Sequence, residues 1–351
     1  MLIFVIRRLA WSILLIFVVT LLVFVTFFLL PSDSRNAQRN EQGFTPSLQT
    51  QFNAHGSFPH QYGEFLRKIV HGDLGQSLRS DDAVTDVIRR TLPVTASLLI
   101  GGMVIWVLIA VPIGVLSALY PRSLLDRGLM LFVLAGASAH SVWLGLVFSY
   151  VFGARLHWFP VGGYCDLFYK PDNEFLCGGP RFWAYHMFLP WLTFAFIFAA
   201  LYARMIRASL LESMEEDYVR TARAKGASSF RVMRVHVFRN ALLPVVSMLG
   251  MDIGVAFAGA LFIETVFELP GMGSLLVRSL ANSDLPMIMG VVIVVSLAVV
   301  IANLVVDLLY FAIDPRIRRT GKGDAVVVSR AVSRELRAAQ PTQTAESATT
   351  P

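Results

Sequence analysis

Few residues in this chain carry the chemistry of a catalyst. The seven histidines, His55, His60, His71, His140, His157, His186 and His236, are scattered along it. None forms the H-E-x-x-H pair that holds zinc, and no two carboxylates stand at a spacing suited to acid–base work. No G-x-x-x-x-G-K-[ST] loop occurs, so the chain has no usual cradle for ATP phosphates. The expectation is a protein that is not an enzyme and holds no metal or cofactor of its own. Three kinds of residue do stand out. They are single acids inside apolar runs, a lone pair of cysteines, and a polar segment, Glu215 to Pro244, reading EEDYVRTARAKGASSFRVMRVHVFRNALLP.

Acids within apolar runs are costly and usually functional. Asp252 lies in LGMDIGVAFAGALF among Gly250, Gly254 and Gly259. Two readings stand for it: a contact for a cationic or amino-bearing solute, or a bond to a polar group on a neighbouring helix. Glu264 is read as a hydrogen-bonded structural acid ahead of substrate contact. Asp307, beside Asn303, is expected to pair with a basic residue. Ser138 and His140, in AGASAHSVW, are read as an interhelical hydrogen bond ahead of a pore contact.

These side chains must be positioned by apolar elements. Of 351 residues, 55% are hydrophobic and only 15% charged, against about 25% charged in soluble proteins. A helix needs about 20 apolar residues to cross a bilayer, and six stretches reach that length: 9–30, 94–119, 129–154, 187–207, 244–266 and 287–312. The first follows Arg7 and Arg8 but is too long for a signal sequence and lacks a small-x-small cleavage site. Period-two alternation is absent, so the expected fold is an all-α integral membrane protein with six transmembrane helices. Basic residues set its orientation. Eight fall in 204–243 and seven follow Asp314, whereas 268–286 holds only Arg278. Both termini are therefore expected in the cytoplasm, and the net charge of +6 needs no nucleic acid to explain it. Cys165 and Cys177 then share one extracytoplasmic loop, YCDLFYKPDNEFLC, where an oxidising compartment lets them form a disulfide. The turn residues Pro171, Asp172 and Asn173 would bring the ends together; two separate thiols are the alternative. A metal site is not expected, for want of a nearby histidine cluster.

In the polar segment, Glu212, Glu215, Glu216 and Asp217 suit a helix N-terminus, Tyr218 to Lys225 forms the helix, and Gly226 ends it. A second helical stretch from Ser229 would carry Val232, Val235 and Phe238 on one stripe, with Pro244 opening the next span. An interfacial helix would bury bulky residues. The small Thr221, Ala222 and Ala224 favour docking into a partner's groove instead.

The run E-D-Y-V-R-T-A-R-A-K-G followed by Leu243-Pro244 resembles the coupling loop of ABC-importer permeases of the dipeptide/oligopeptide/nickel family. Several further motifs occur in the order of that family: Arg7-Arg8, His71-Gly72-Asp73-Leu74-Gly75-Gln76-Ser77, Thr91-Leu92-Pro93-Val94-Thr95, Glu264-Thr265-Val266-Phe267, Leu269-Pro270-Gly271-Met272-Gly273 and Asp314-Pro315. The resemblance covers residues 1–318. It departs at Pro31-Ser32-Asp33-Ser34, in the length of the cysteine loop, and in the tail.

It implies a type I permease fold: an N-terminal helix in 1–30, an extracytoplasmic loop region in 31–93, and a permease core in 94–318 with its coupling loop at 208–243. The tail in 319–351, rich in Ala, Thr, Ser, Gln and Arg and without aromatics, is expected to be a disordered cytoplasmic segment on composition alone. The resemblance also implies partners, namely a second permease, two cytoplasmic ATPases that bind ATP and magnesium, and an extracytoplasmic substrate-binding lipoprotein. The expected place is the inner membrane of a bacterium, and the expected cargo is di- or oligopeptides, with nickel chelates or glutathione-like molecules as the alternative. A secondary transporter or channel would need paired acids in two repeats, and no repeat is evident. The coupling residues would be Glu216, Asp217, Tyr218, Thr221, Ala222, Ala224, Lys225 and Gly226. Asp252, Glu264, Pro270, Gly271 and Gly273 would belong to the translocation path or its gate.

Overall fold

A computed structural model describes residues 2–29, 58–168 and 177–313. The expectations for the 31–57 loop, His55, the Pro171-Asp172-Asn173 turn, Asp314-Pro315 and the tail lie outside these residues.

The described chain is helical. Helix α1 covers Leu2–Phe24 and runs into a π turn at Val25–Leu29, and α2 covers Phe58–Val70. Helix α3 is Val84–Leu119, α4 is Leu124–Ser138, and α5 is Ser141–Phe148, continued by a π turn at Ser149–Arg155. Helix α6 is Pro180–Glu215, α7 is Asp217–Ala224, α8 is Phe238–Val266, α9 is Met272–Ala281 and α10 is Leu285–Ile313. Among the described residues five helices are long and apolar enough to cross a membrane, and α4 with α5 would make a sixth span if the pair counts as one.

That pair departs from the straight span expected over 129–154. It bends by 108° because Ala139 (φ −85°, ψ 135°) and His140 (φ −81°, ψ 141°) are extended, and the His140 ring accepts from the Val142 amide at 3.3 Å to cap α5. Ser138 donates to the Leu134 carbonyl of its own helix. The interhelical bond expected of these two residues is replaced by local capping at the break.

Helices α3 and α6, each 36 residues long, extend to about 54 Å and overshoot the hydrocarbon core. They run parallel. Trp191 Nε1 donates to the Ser97 carbonyl at 2.9 Å, Trp106 stacks on Phe198, and Gly114 meets Ile206 and the Ala203 carbonyl. This seam, with α8 from Ala241 to Ile263, forms the larger core. A smaller core gathers Phe24, Tyr62, Phe65, Val84 and Met289, so α2 and the first turns of α3 pack on α1 and α10. The start of α3 therefore lies ten residues before the expected span, within the segment read as loop. Helix α8 runs opposite to α3. Asp307 of α10 pairs with Arg8 at 2.8 Å, which is the basic partner expected for it, and neighbouring Val306 packs on Gly250 of α8. The start of α1 and the end of α10 thus lie at the same end of the bundle as α7.

A Cβ at Gly114 would come within 2.8 Å of Ile206 Cβ and 2.9 Å of the Ala203 backbone oxygen, which cannot move aside. Gly114→Val should weaken the seam by about 1–3 kcal/mol and lower the melting temperature in detergent by several degrees. Gly63→Ala, at an open position on α2, should leave it unchanged or slightly raised. Equal melting of the two variants would contradict the seam.

Candidate functional site

The polar segment folds as a helix that rides on the end of α6. Helix α6 stops at Glu215, Glu216 turns extended (φ −66°, ψ 146°), and α7 begins at Asp217. Glu212 and Glu215 thus belong to the last turn of α6, so only Glu216 and Asp217 meet the α7 dipole as expected. The chain leaves α7 through Lys225 and Gly226, where φ is +80°. The Gly226 amide donates to Arg223 at 2.9 Å and the Ala227 amide to Ala222 at 3.2 Å, satisfying carbonyls that the helix end would orphan.

Helix α7 is two-faced. Val219 is fully buried in the larger core, with Tyr218 and Ala222 packed against the same core. Asp217, Arg220, Thr221, Arg223, Ala224 and Lys225 are exposed. Ala222 therefore seats the helix on its own chain, because it stands three residues after Val219 and shares its face. The small outer surface expected for a partner is carried by Thr221 and Ala224 alone. The expected stripe after Ser229 also changes. A π turn over Val232–Val237 spaces like-facing positions five apart, so Val232 and Val237 are buried whereas Val235 is 52% exposed. Pro244 opens the apolar span Pro244–Val266 as expected, although the helix itself begins earlier, at Phe238.

At the opposite end, Glu264 is fully buried. It accepts from Thr95 Oγ1 at 2.6 Å and from the Gly273 and Ser274 amides at 2.7 and 3.1 Å. Thr95 Oγ1 in turn accepts from the Met272 amide at 2.8 Å. The carboxylate thus serves the N-terminus of α9, where unpaired amides and the helix dipole favour an anion. Gly271 is extended (φ −98°, ψ −177°), so its need is spatial: a Cβ there would lie 2.3 Å from the Glu264 carboxylate. Pro270 is exposed above this turn. Nearby, the buried Asp284 accepts from Ser77 Oγ at 2.5 Å and the Leu78 amide at 3.2 Å, which fixes the Gly72–Ser77 motif to the start of α10.

Asp252 accepts from Tyr202 of α6 at 2.8 Å. The neighbouring-helix bond is thus present, and the acid is half-buried beside Met251, which is 75% exposed. Cys165 and Cys177 are joined, with Cα atoms 5.3 Å apart. Folding also brings His186 Nδ1 to 3.2 Å from the Cys165 sulfur, a neighbour the sequence did not reveal. Sulfurs joined to each other are not thiolate metal ligands. The cysteine loop rests on the end of α8, where the Gly163 amide donates to Phe267 at 2.9 Å. Burial, then the Asp166 carboxylate, pushes the Tyr164 phenol above its ordinary range.

The sequence reading also missed the buried Asp126, which Arg207 clasps with two bonds of 2.9 Å. Their only signal was a lone acid and one of two arginines near span ends, 81 residues apart.

Among the described residues the chain is thus a helical bundle with five helices long and apolar enough to cross a membrane, or six spans if α4 and α5 count as one, and a short two-faced helix seated at one end. Residues 110–319 match the family described as binding-protein-dependent transport system inner membrane component, and residues 1–99 match its N-terminal membrane component. The chain belongs to this family. It is 39% identical over 307 residues to a peptide permease protein of Brucella suis biovar 1, covering 86% of this chain and 94% of the relative. It is 35% identical over 333 residues to a di/tripeptide transport system permease of Pseudomonas aeruginosa, covering 91% and 99%. It is 34% identical over 336 residues to a dipeptide transport system permease of Escherichia coli K12, again covering 91% and 99%.

Glu264→Ala would leave the Gly273 and Ser274 amides without an acceptor, at about 1–3 kcal/mol for each buried donor. Its melting temperature in detergent should fall well below that of Glu264→Gln, which keeps a carbonyl acceptor. An alanine variant melting like the native protein would contradict the capping account.

Proposed function

We propose that this chain is the permease subunit of an ATP-driven importer of small peptides, and that α7 is its coupling helix. The single observation that carries the coupling reading is the two-faced seating of α7: Val219 and Ala222 are committed inward, and the outer face is left charged and small. The peptide cargo rests on the relatives, whose names specify peptide, dipeptide and di/tripeptide transport over nearly their whole length. The end bearing α7, Arg8 and Asp307 is the cytoplasmic one, in keeping with the basic residues gathered there.

In this reading two cytoplasmic ATPases bind ATP and magnesium and press on Thr221, Ala224 and Lys225. A second permease completes the path through the bacterial inner membrane, with Asp252 facing it. An extracytoplasmic binding protein delivers peptide to the mouth formed by Pro270, Gly271 and Gly273 over Glu264. The Cys165–Cys177 disulfide ties the cap beside that mouth. Transport then requires two states of the bundle, each favoured by a different ligand.

In the reconstituted complex, Ala224→Trp should overfill the ATPase contact, and Gly226→Val should strain a left-handed residue. Both should cut uptake and peptide-stimulated ATP hydrolysis by at least tenfold, while the loaded binding protein still docks on the nucleotide-free complex. Ala222→Trp should instead lower assembly, because it faces inward. Normal uptake by the Ala224 and Gly226 variants would sink the coupling assignment.

A further inference from the structure

Asp126 is 4% exposed and both of its oxygens are saturated. Oδ1 accepts from Arg207 Nε at 2.9 Å and from the Ser117 hydroxyl. Oδ2 accepts from the second guanidinium nitrogen of Arg207 and from the Arg122 amide, each at 2.9 Å. The donors come from three places: the last turn of α3, the elbow between α3 and α4, and α6. The elbow is itself shaped for this contact, since Arg122 holds φ +62°, a conformation that non-glycine residues rarely adopt. Ser123 completes it by accepting from the Asp126 amide at 3.1 Å.

Arg207 stands nine residues before Glu216 on an unbroken helix, about 13 Å from the start of α7. On the other side of the pair, α4 leads through the bend at His140 to α5. There Gly145 packs on Val266 and Phe267, beside the Glu264 cap. Apolar helix faces can slide past one another by small amounts. A carboxylate held by four donors cannot slide without losing several bonds together, so it passes displacement on.

We propose that Asp126 and Arg207 are positioning residues for transport, the strut through which movement of α7 and α6 drives the elbow and, through α4 and α5, the opposite mouth. The proposal rests on the coupling reading of α7.

The test uses the complete reconstituted transporter and measures peptide taken up per ATP hydrolysed, alongside melting temperature. Arg207→Gln alone leaves the buried Asp126 charge without its partner and should lower the melting temperature clearly, and Asp126→Asn, which strands the half-buried Arg207, should lower it less. Asp126→Asn combined with Arg207→Gln removes both charges. It should recover most of the melting temperature yet give at least a tenfold lower uptake per ATP, because hydrolysis continues without moving the elbow. Arg207→Lys keeps the charge but not the fork, and should lower the ratio about threefold with little change in melting. A native ratio in the double variant overturns the proposal and leaves the pair a purely stabilising one. Should the double variant fail to assemble, Arg207→Lys decides: a reduced ratio supports the strut and a native ratio overturns it. Ala224→Trp in the same assay separates the two levels. Normal uptake there means the coupling reading has failed, whereas lost uptake with a native ratio in the double variant means only the strut has failed.

Discussion

A carboxylate inside a bundle that faces hydrocarbon has to be saturated with donors, because neither lipid nor apolar side chains can solvate it. Three acids meet that demand from segments far apart in sequence. Asp126 draws on α3, the elbow and α6, Glu264 on α3 and the start of α9, and Asp284 on the Gly72–Ser77 motif. Apolar packing holds the helices together but has little direction of its own. The saturated acids supply direction and register, one at the α7 end and two at the other.

Between these fixed points runs the parallel seam of α3 and α6. Aromatic rings of Trp106, Phe194 and Phe198 fill its middle, and Gly114 lets the backbones meet near the α7 end. Helix α7 continues α6 across a single extended residue, Glu216, while Val219 anchors it to the same core. Displacement of α7 would therefore be carried into α6 and into the core that Val219 joins. Helix α8 is different. Its Met251 and Val255 are open, so much of one face is uncovered within this chain, and Asp252 sits at the edge of that face, tethered to α6 through Tyr202.

Much of this was legible in the sequence because it depends on local composition. The apolar runs marked the long helices, Gly226 marked a left-handed exit, and the charge of Asp307 inside an apolar run called for a basic partner. What escaped depends on geometry that composition does not encode. The break at Ala139 and His140 uses residues common in straight helices. The π turn at Val232–Val237 shifts a side-chain stripe by one position, so Val235 faces outward. Ala222 is small enough for either face of α7, and only the burial of Val219 decides which. Asp126 looks like an ordinary residue of a helix first turn, and its partner lies on another helix, 81 residues away.

In the proposed function the outer face of α7 meets an ATPase while its inner face belongs to this chain. Site-specific photo-cross-linking in the assembled transporter tests it most directly, with benzoylphenylalanine placed at position 224 on the exposed face. The account predicts a cross-linked product between this chain and the ATPase subunit, changing in yield when nucleotide is added. Cross-links confined to lipid or to the second permease, with no ATPase product in any nucleotide state, would contradict it.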